Sequence, residues 1–494
     1  MVDLGNLVLF TDSGEKIVQG DGAGVLKPTS INLKQFSYNG SANNPAPIVI
    51  DNTALYLQFG GSIVRDFFAD ISVDGYKGND LTIFSNHLFD GYTIVDWAYQ
   101  KTPNSTIWAV RSDGVVLSLT YVKDQQMLAW TRHDFGGFAE NVCAVPNGTI
   151  YDVYFVIRRL VPYFGAASFG NIYSRYVERL SDREILLQDQ YNVAAQDEDD
   201  FYATTIGTIR YRSNAPEINF SDSCYSYDGR NSDITQIGSI EEYLSGGFSA
   251  GALLKISLSS GLFNTDCVGD TVHFKDSDGN LYIFEIEQYV GTSTVRARST
   301  RDVPKELQGV AVTSDWAVGK KTFYGLWHLE GKQVSIRGDG LVVANPNNSQ
   351  YAVVTVTNGT ITLNKCYSII HIGLPYTSDI GTLAIDGTQN TTVGKQQLIK
   401  KVYIHTEKTQ TMWVGTRNPD NIKLNAGQDP LYGLNEIKNR DEENYDQAAG
   451  MLKERFEVKV ESTYEEQAEV FIRNVDPTPL SVLAITPEGV LNFS

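Results

Sequence analysis

The fold class is predicted by one stretch, residues 106–121, which reads TIWAVRSDGVVLSLTY. Two apolar runs rich in β-branched residues flank Arg111 to Gly114, and an Asp-Gly pair is a typical hairpin turn. Residues 54–67 (ALYLQFGGSIVRDF) repeat this plan around a Gly-Gly turn. Both stretches therefore predict antiparallel β-hairpins.

A third hairpin is predicted from residues 152–157 (DVYFVI) and 174–180 (SRYVERL), with residues 162–171 as an inserted loop. The hairpins recur about every 45 to 50 residues, a spacing typical of propeller blades. Three or so blades are too few to close a ring, because four is the usual minimum. We expect an irregular or incomplete propeller, and the abrupt start inside a blade strand suggests truncation of a longer protein.

The rest of the chain also alternates apolar and polar residues, apart from one helix candidate at residues 442–455. We therefore expect an all-β protein, in which an irregular or incomplete β-propeller is followed by smaller β-sandwich or barrel-like domains. The predicted divisions are a propeller-like domain at 1–185, a connecting region at 186–245, a small inserted tip domain at 246–325 and a sandwich-like region at 326–494.

The composition is that of a globular protein: 494 residues, 42% apolar and 20% charged. These values exclude a collagen, a disulfide-stabilised miniprotein and a wholly disordered chain. The 27 Tyr, 22 Phe and 43 Gly against 4 Met favour sheets and tight turns.

The formal charge is −19, from 40 basic and 59 acidic residues. A protein that grips DNA or RNA needs clustered Lys and Arg, so this charge argues against ordinary nucleic-acid binding. The adjacent basic pairs are predicted at strand ends or on the solvated surface: Arg158-Arg159, Lys320-Lys321 and Lys400-Lys401.

The four cysteines lie far apart and form no CxxC pair, so they predict buried thiols in a reducing compartment. The N-terminal residues show neither a basic region nor the apolar run of a signal peptide. No apolar run approaches the length of a membrane span. We therefore expect a soluble product made in the cytosol.

Motifs for catalysis and cofactor binding are weak. The six histidines show no HExxH or other metal spacing, and GxSxG, Walker A and Rossmann patterns are missing. Residues 276–280 (DSDGN) resemble a calcium loop but lack the EF-hand register, so a plain hairpin turn is favoured. We expect no catalytic residue, cofactor or metal.

Two features leave a carbohydrate-related function open. Carboxylate pairs for glycoside hydrolysis need only lie about 5 to 10 Å apart, although the sequence favours no particular pair. Four aromatic residues could form a sugar-stacking platform, although core packing within sheets is the favoured interpretation. They are Tyr225, Tyr227, Trp97 and Trp130.

A series of short segments, ordered from end to end, is more specific than any single motif. It comprises 75–82 (GYKGNDLT), 87–89 (HLF), 94–100 (IVDWAYQ), 108–114 (WAVRSDG), 119–121 (LTY), 130–134 (WTRHD), 301–304 (RDVP), 316–317 (WA), 328–332 (HLEGK), 373–376 (GLPY) and 476–483 (DPTPLSVL). In these segments the chain resembles the tail nozzle proteins of short-tailed bacteriophages, also called tail tubular protein B or packaged-DNA stabilisation proteins.

The resemblance implies a structural virion protein with a largely β fold. Its relatives form a ring, commonly of six subunits, below the adaptor (head-to-tail connector) ring of the portal. That tube retains DNA and later conducts it, and tail fibres or spikes dock on the assembly. Family members usually carry further residues before the equivalent of Leu7, including more of the propeller and the contacts near the portal. A chain without those residues would be expected to assemble less readily into a ring.

The charge fits such a conduit, because acidic walls repel phosphate and keep a long polyanion mobile. The candidate channel-lining acids are Asp197, Glu198, Asp199 and Asp200, and the second candidate is the tip unit at residues 250–310. The sequence thus favours a non-enzymatic nozzle subunit. The alternatives are a β-propeller carbohydrate-binding protein or glycan hydrolase acting on bacterial surface polysaccharide, and an adhesin-like scaffold that binds only fibres.

Overall fold

The chain folds as two compact units, residues 1–182 and 183–494. The computed structural model describes residues 1–20, 25–70, 75–125, 127–163, 170–181, 204–206, 209–211, 218–230, 237–243, 247–259, 261–276, 281–313, 316–384, 396–416, 418, 431–438, 451–452, 455–460, 464 and 468–491.

The described part of the first unit consists of four antiparallel sheets whose strands follow one another in chain order. The first sheet contains β1 (Val2–Asp3), β2 (Leu7–Thr11), β3 (Gly14–Gln19) and β4 (Asn32–Ser37). The second contains β5 (Ile48–Ile50), β6 (Thr53–Leu57), β7 (Val64–Asp70) and β8 (Gly75–Lys77). The third contains β9 (Ile94–Gln100), β10 (Thr106–Arg111), β11 (Val116–Val122) and β12 (Met127–His133), and the fourth contains β13 (Phe138–Asn147), β14 (Ile150–Tyr163) and β15 (Gly170–Arg179).

The predicted hairpins form with the predicted turns. Val110 pairs with Val116 across the Asp-Gly turn, where Gly114 has a φ of +83°. Leu57 pairs with Val64 across the Gly-Gly turn, where both glycines also have positive φ. Glycine occupies this left-handed region without the steric penalty that a Cβ brings, so these turns set the hairpin registers.

The four sheets stack face to face, and each interface is an apolar core. Val8 and Ile17 of the first sheet pack on Tyr56 and Phe67 of the second. The opposite face of the second sheet contributes Leu55, Leu57 and Val64 to a core shared with Ile107, Leu117 and Leu119 of the third. Trp108, Val110 and Val116 on the far side of the third sheet meet Val142, Phe155 and Ile157 of the fourth. This stack of meanders is an irregular, incomplete β-propeller arrangement, as the sequence predicts.

The second unit is also built from antiparallel sheets. A two-stranded sheet is formed by β16 (Thr204–Ile206) and β17 (Ile209–Tyr211). A large sheet contains eight strands: β19 (Ile237–Glu242), β20 (Leu253–Leu258), β21 (Thr271–Lys275), β22 (Leu281–Gly291), β23 (Thr294–Ser299), β24 (Ala311–Thr313), β25 (Trp316–Tyr324) and β29 (Thr360–Tyr367). Their order across the sheet is β24-β19-β20-β23-β22-β21-β25-β29.

Three further sheets complete the described part of this unit. One has the order β18-β30-β26-β27, with β28 also paired to β26: β18 (Asp222–Asp228), β26 (Gln333–Gly338), β27 (Leu341–Ala344), β28 (Val354–Thr355) and β30 (Ile369–Leu374). The second has the order β31-β36-β33-β34: β31 (Ser378–Gly381), β33 (Thr411–Gly415), β34 (Asn435–Lys438) and β36 (Phe471–Asn474). The third has the order β35-β32-β37: β32 (Gln397–Thr406), β35 (Arg455–Lys459) and β37 (Val482–Leu491).

Each part of the second unit has its own core. One apolar cluster under the large sheet runs from Ile240 to Val318. A separate cluster joins Val402 and Ile404 of β32 to Met412 and Val414 of β33, so the last two sheets pack as a β-sandwich. The division of this unit into the predicted domains stays a prediction.

Helical structure in the described residues is limited to single 3₁₀ turns: Asn86–Leu88, Lys123–Gln125, Thr265–Cys267, Lys305–Leu307 and Trp327–Leu329. None of the described helices is long and apolar enough to cross a membrane. Most of the helix candidate at 442–455 lies outside the described residues, and its last residue, Arg455, begins strand β35.

Two local expectations are wrong. The predicted inserted loop at 162–171 is shorter, because β14 extends to Tyr163 and pairs there with Gly170 of β15. Arg159, which belongs to a basic pair predicted at a strand end or on the solvated surface, lies within β14 and is buried against Glu178, whereas Lys400 is exposed as expected. Alternation within a strand sends the two members of such a pair to opposite faces, so one can be solvated while the other enters the core.

The Gly114 turn provides a test of the stacking. A Cβ built on Gly114 would lie 2.6 Å from the ring of Phe138, at the start of the fourth sheet. Gly148 also has positive φ, +61°, but a Cβ there has open space around it. We expect Gly114→Ala to reduce the free energy of unfolding by about 3 kcal/mol, from backbone strain plus overpacking, and Gly148→Ala by about 1 kcal/mol from strain alone.

Thermal unfolding of both variants measures this difference. The midpoint of Gly114→Ala should lie several degrees below that of Gly148→Ala. Equal midpoints would mean that the third and fourth sheets do not pack as closely as described.

Candidate functional sites

The four predicted channel-lining acids, Asp197, Glu198, Asp199 and Asp200, lie outside the described residues. The second candidate, residues 250–310, carries eight acidic and six basic residues and is therefore close to balanced. Several of its charges are paired on the surface, as in Arg298 Nε to Glu287 Oε1 at 2.6 Å. This segment therefore contributes little to the negative charge of the chain.

The four aromatic residues weighed as a sugar platform pack inside the sheets. Trp97 is buried in the core between the second and third sheets and donates Nε1 to Ala46 O at 2.7 Å. Trp130 donates Nε1 to Leu81 O at 2.8 Å and packs edge-on against Phe89. In the second unit, Tyr225 and Tyr227 both pack on Phe323. The four side chains therefore belong to the apolar cores of the sheets.

Hydroxyl–imidazole pairs recur in the sheets. The distance from Ser118 Oγ to His133 Nε2 is 2.7 Å, and the distance from Ser226 Oγ to His371 Nδ1 is also 2.7 Å. The His133 ring packs against Trp108, and His371 lies opposite Arg337 in the ladder. These pairs satisfy polar groups within the sheets.

Cys224 and Cys366 do not show the environment of a reactive thiol, and Cys143 is not the buried residue that the sequence predicts. All four are free, and Cys143 is exposed on the surface of the first unit. Burial raises the pKa of Cys224 to about 12 and that of Cys366 to about 11. A nucleophilic cysteine needs the opposite shift, because the thiolate is the reactive form.

The best-connected carboxylate in the first unit is Asp66 of β7. Its Oδ1 accepts the Asn79 backbone N–H at 2.5 Å, and its Oδ2 lies 3.4 Å from the Tyr121 hydroxyl. Burial, followed by the charge of Asp66, raises the pKa of Tyr121 above its ordinary value. Lys123 Nζ lies 3.0 Å from Thr53 Oγ1, and burial lowers its pKa. The cluster connects the second sheet, the loop before Asp80 and the third sheet.

The ordered segments that resemble the nozzle proteins, called the family-like segments from here on, contain residues that hold neighbouring elements together. Arg111 donates in bidentate fashion to Asp113 and also binds Leu88 O at 2.5 Å. Asp96 accepts the Val142 backbone N–H at 3.0 Å, joining the third and fourth sheets. Asp80 accepts both the backbone N–H and the hydroxyl of Thr82. In the structure, these polar residues organise the stack of sheets.

Asp476, which lies in the family-like segment 476–483, joins separate parts of the second unit. Its Oδ1 accepts Asn345 Nδ2 at 2.9 Å and Asn348 Nδ2 at 3.0 Å, and its buried Oδ2 has no hydrogen-bond partner. Burial raises the pKa of Asp476 to about 6, against the opposing effect of the two amide hydrogen bonds. The carboxyl anchors the loop that contains Asn345 and Asn348.

Sequence reasoning missed the outward face of the fourth sheet. Arg158 and Arg175 are paired across β14 and β15, and both reach Glu140. Tyr173 and Val177 on this face are exposed. The adjacent Arg158-Arg159 pair could have indicated this face, because successive residues of a strand point to opposite faces and one of the two arginines must therefore point outward. Within the described residues, no group of three or more His, Cys, Asp or Glu is placed to hold a metal ion.

Comparison with known proteins gives no family. No family model matches the chain, and no curated protein matches it. Two solved structures of Trypanosoma rangeli sialidase show weak similarity. In the complex with 2,3-difluoro-KDN the identity is 11%, the coverage is 98% of this chain and 90% of that chain, and the TM-score is 0.17. In the complex with sialic acid the identity is 10%, the coverage is 98% and 95%, and the TM-score is 0.13. TM-scores this low carry no argument about fold or function.

Asp476 gives a pH prediction. Because its folded-state pKa lies above its ordinary value, its contribution to stability is present at low pH and is lost as the pH rises through about 6. We expect Asp476→Asn to be more stable than the wild type at pH 8, by about 2–3 kcal/mol, with little advantage at pH 4. Thermal midpoints of the two chains across this pH range measure the effect.

Glu407→Gln is the control for that experiment, because Glu407 is exposed in the same region. It should leave the pH dependence unchanged. A constant difference between Asp476→Asn and wild type at every pH would contradict the assignment.

The thiols give a second prediction. At pH 8 iodoacetamide should label exposed Cys143 first, while Cys224 stays protected by burial and by its raised pKa. Peptide mass spectrometry over time distinguishes the sites, and Cys224 should react after unfolding in guanidinium. Labelling of native Cys224 as fast as Cys143 would contradict its placement.

Proposed function

We propose that the chain is a subunit of the tail nozzle of a short-tailed bacteriophage. Copies form a ring, with six as the expected number, below the portal and adaptor. The ring retains packaged DNA and conducts it during ejection. The protein is structural, without turnover, and it resides in the virion tail after synthesis in the host cytoplasm.

The observation that supports this proposal most is the role of the family-like segments in the fold. Segment 94–100 contributes Trp97 to a core and Asp96 to the contact with the fourth sheet. Segment 108–114 contributes Trp108 and the Arg111–Asp113 ion pair. Segment 476–483 contributes the buried Asp476. Proteins that share a scaffold and its assembly, but no catalysed reaction, are expected to resemble one another in the residues that pack and anchor the fold.

The charge supplies the physical basis of conduction. A formal charge of −19 per subunit, repeated around a ring, gives a negative field in and around the lumen. Phosphate groups are repelled by such a wall, so DNA passes without sequence-specific contacts and without being held. The field extends about one Debye length, roughly 10 Å at 0.1 M salt, so it acts on DNA that fills a narrow channel.

The partners follow from position in the tail. The proposed ring contacts itself, the adaptor ring above and tail fibres or spikes at its side. An adhesin-like scaffold would contact only the fibres, so pull-down with the adaptor distinguishes these two functions.

Assembly and DNA binding of the purified full chain test the proposal together. We expect mass photometry to show a species near six times the 54.7 kDa chain, and negative-stain images to show a central hole. Fluorescence anisotropy with a labelled DNA duplex at low salt should show no binding, because the chain repels phosphate.

Two results would count against the nozzle. Tight, salt-sensitive DNA binding would contradict a repelling wall. Saturable hydrolysis of a bacterial surface polysaccharide, abolished by one carboxylate substitution, would instead support the glycan hydrolase.

A further inference from the structure

Three Asn-Gly pairs occur in the chain: Asn39-Gly40, Asn147-Gly148 and Asn358-Gly359. An asparagine that precedes a glycine places an electrophile beside a nucleophile, because its side-chain Cγ lies within reach of the backbone nitrogen of the glycine. Glycine has no Cβ, so no side chain shields that nitrogen. The local chemistry is therefore the same at the three pairs, and only their structural surroundings distinguish them.

Asn147 and Gly148 lie at the exposed turn between β13 and β14, where Asn147 pairs with Ile150. Apart from the chain neighbours, no atom lies within 4 Å of a Cβ built on Gly148. No residue that the structure describes accepts a hydrogen bond from the Gly148 backbone N–H. The Asn147 side chain makes one hydrogen bond, from Nδ2 to Asp152 Oδ2 at 3.0 Å, and a single solvent-exposed bond of this kind opens readily. The Asn147 amide can therefore rotate towards the Gly148 nitrogen.

Asn358 is exposed as well, but the backbone around it is held in place. Glu330 Oε1 accepts the Asn358 N–H at 3.0 Å, and Glu330 Oε2 accepts the Gly359 N–H at 2.7 Å. Trp327 packs so closely that a Cβ on Gly359 would lie 2.7 Å from its indole ring. The nitrogen that would attack thus already donates to a carboxylate, and this turn has to open before the nitrogen can meet the side chain.

The third pair is fixed by packing. Gly40 is buried, and a Cβ on it would collide with the carbonyl oxygen of Asp12. The Gly40 carbonyl accepts the Phe59 N–H at 3.0 Å, and Asn39 Nδ2 donates to Ser37 Oγ at 2.7 Å. These contacts restrict the rotation that would bring the Asn39 side chain to the Gly40 nitrogen.

We propose that Asn147 is a site of spontaneous deamidation, and that the fold protects Asn358 and Asn39 from the same reaction. The Gly148 backbone nitrogen loses its proton to hydroxide and attacks Cγ of Asn147, so that an N–Cγ bond closes a five-membered succinimide. The Cγ–Nδ2 bond breaks, and ammonia leaves after Nδ2 takes up a proton. Water then opens the ring at one of its two carbonyls, which gives aspartate or, when the main-chain carbonyl is attacked, isoaspartate. The net reaction consumes one water and releases one ammonia, with no change of oxidation state.

Deamidation changes both the charge and the geometry of this turn. Asp152 accepts from Asn147 Nδ2 and pairs with Arg179 Nη1 at 3.4 Å. A carboxylate at position 147 removes the amide donor and brings a second negative charge to Asp152. Isoaspartate also adds a methylene to the main chain, so the two-residue turn no longer fits the pairing of Asn147 with Ile150. The modified hairpin is therefore expected to loosen at this end.

Incubation of the full chain at pH 8, followed by peptide mass spectrometry over time, tests the proposal. The mass change of replacing an amide NH2 by OH identifies deamidation, and chromatography separates isoaspartate from aspartate. We expect Asn147 to convert at least about tenfold faster than Asn358 and Asn39, because the latter two react only after local opening. In guanidinium, where the fold is lost, the three sites should convert at similar rates.

Gly148→Ala tests the attacking nitrogen. The added Cβ hinders the approach to Cγ, so conversion of Asn147 should slow about tenfold. Thr149→Ala is the matched control, because Thr149 is exposed in the same turn and does not supply the nitrogen. It should leave the rate unchanged, and circular dichroism confirms that both variants are folded.

Glu330→Ala tests the protection of the second pair. It removes the acceptor of the Gly359 N–H, so conversion of Asn358 should rise about tenfold or more. Lys332→Ala is the matched control, because Lys332 is exposed nearby and does not bond to this turn through its side chain. Asn358 should stay protected in the control.

The possible results separate this modification from the proposed function. An Asn147 that stays intact in the folded chain, yet converts in guanidinium, would overturn the proposal. Equal rates at Asn147 and Asn358 in the folded chain would overturn the protection by Glu330. The nozzle function is decided separately, by ring formation and DNA binding, and stands or falls independently of these rates.

Discussion

The constraint on which the first unit depends is that its inner sheets are apolar on both faces. All six residues of β10 are buried, with Ile107 facing the second sheet and Trp108 facing the fourth. A strand of this kind has no solvated side, so each sheet that contains one needs a neighbour on each face. The order of the stack follows from this requirement together with the short connections between consecutive meanders.

Polar residues between the sheets determine how the stack is aligned. Apolar contacts are non-directional, whereas the hydrogen bonds of Asp66 and Asp96, and that of Arg111 to Leu88 O, join particular backbone positions on neighbouring elements. A carboxylate that is buried with several donors is stabilised as a structural anchor. This is why the most connected acids of the first unit support a scaffold, although acids in such numbers could also suggest catalysis.

Assembly and conduction make opposite electrostatic demands on a nozzle subunit. A conduit for DNA benefits from negative charge, while copies that carry that charge repel one another. In the proposed ring, the formal charge of −19 per copy meets the first demand, so contacts between copies are expected where the local charge is not negative.

The sequence alone determined what depends on neighbours in the chain. Alternation and turn glycines predicted the hairpins at residues 54–67 and 106–121, because both signals act within a few residues. The burial of Arg159 depends on its ion pair with Glu178. The two residues are nineteen positions apart, and only the pairing of β14 with β15 brings them together. The raised pKa of Asp476 required burial and the amides of Asn345 and Asn348, more than a hundred positions earlier. Burial and ion pairing are set by which distant segments pack together, and only the tertiary structure decides that packing.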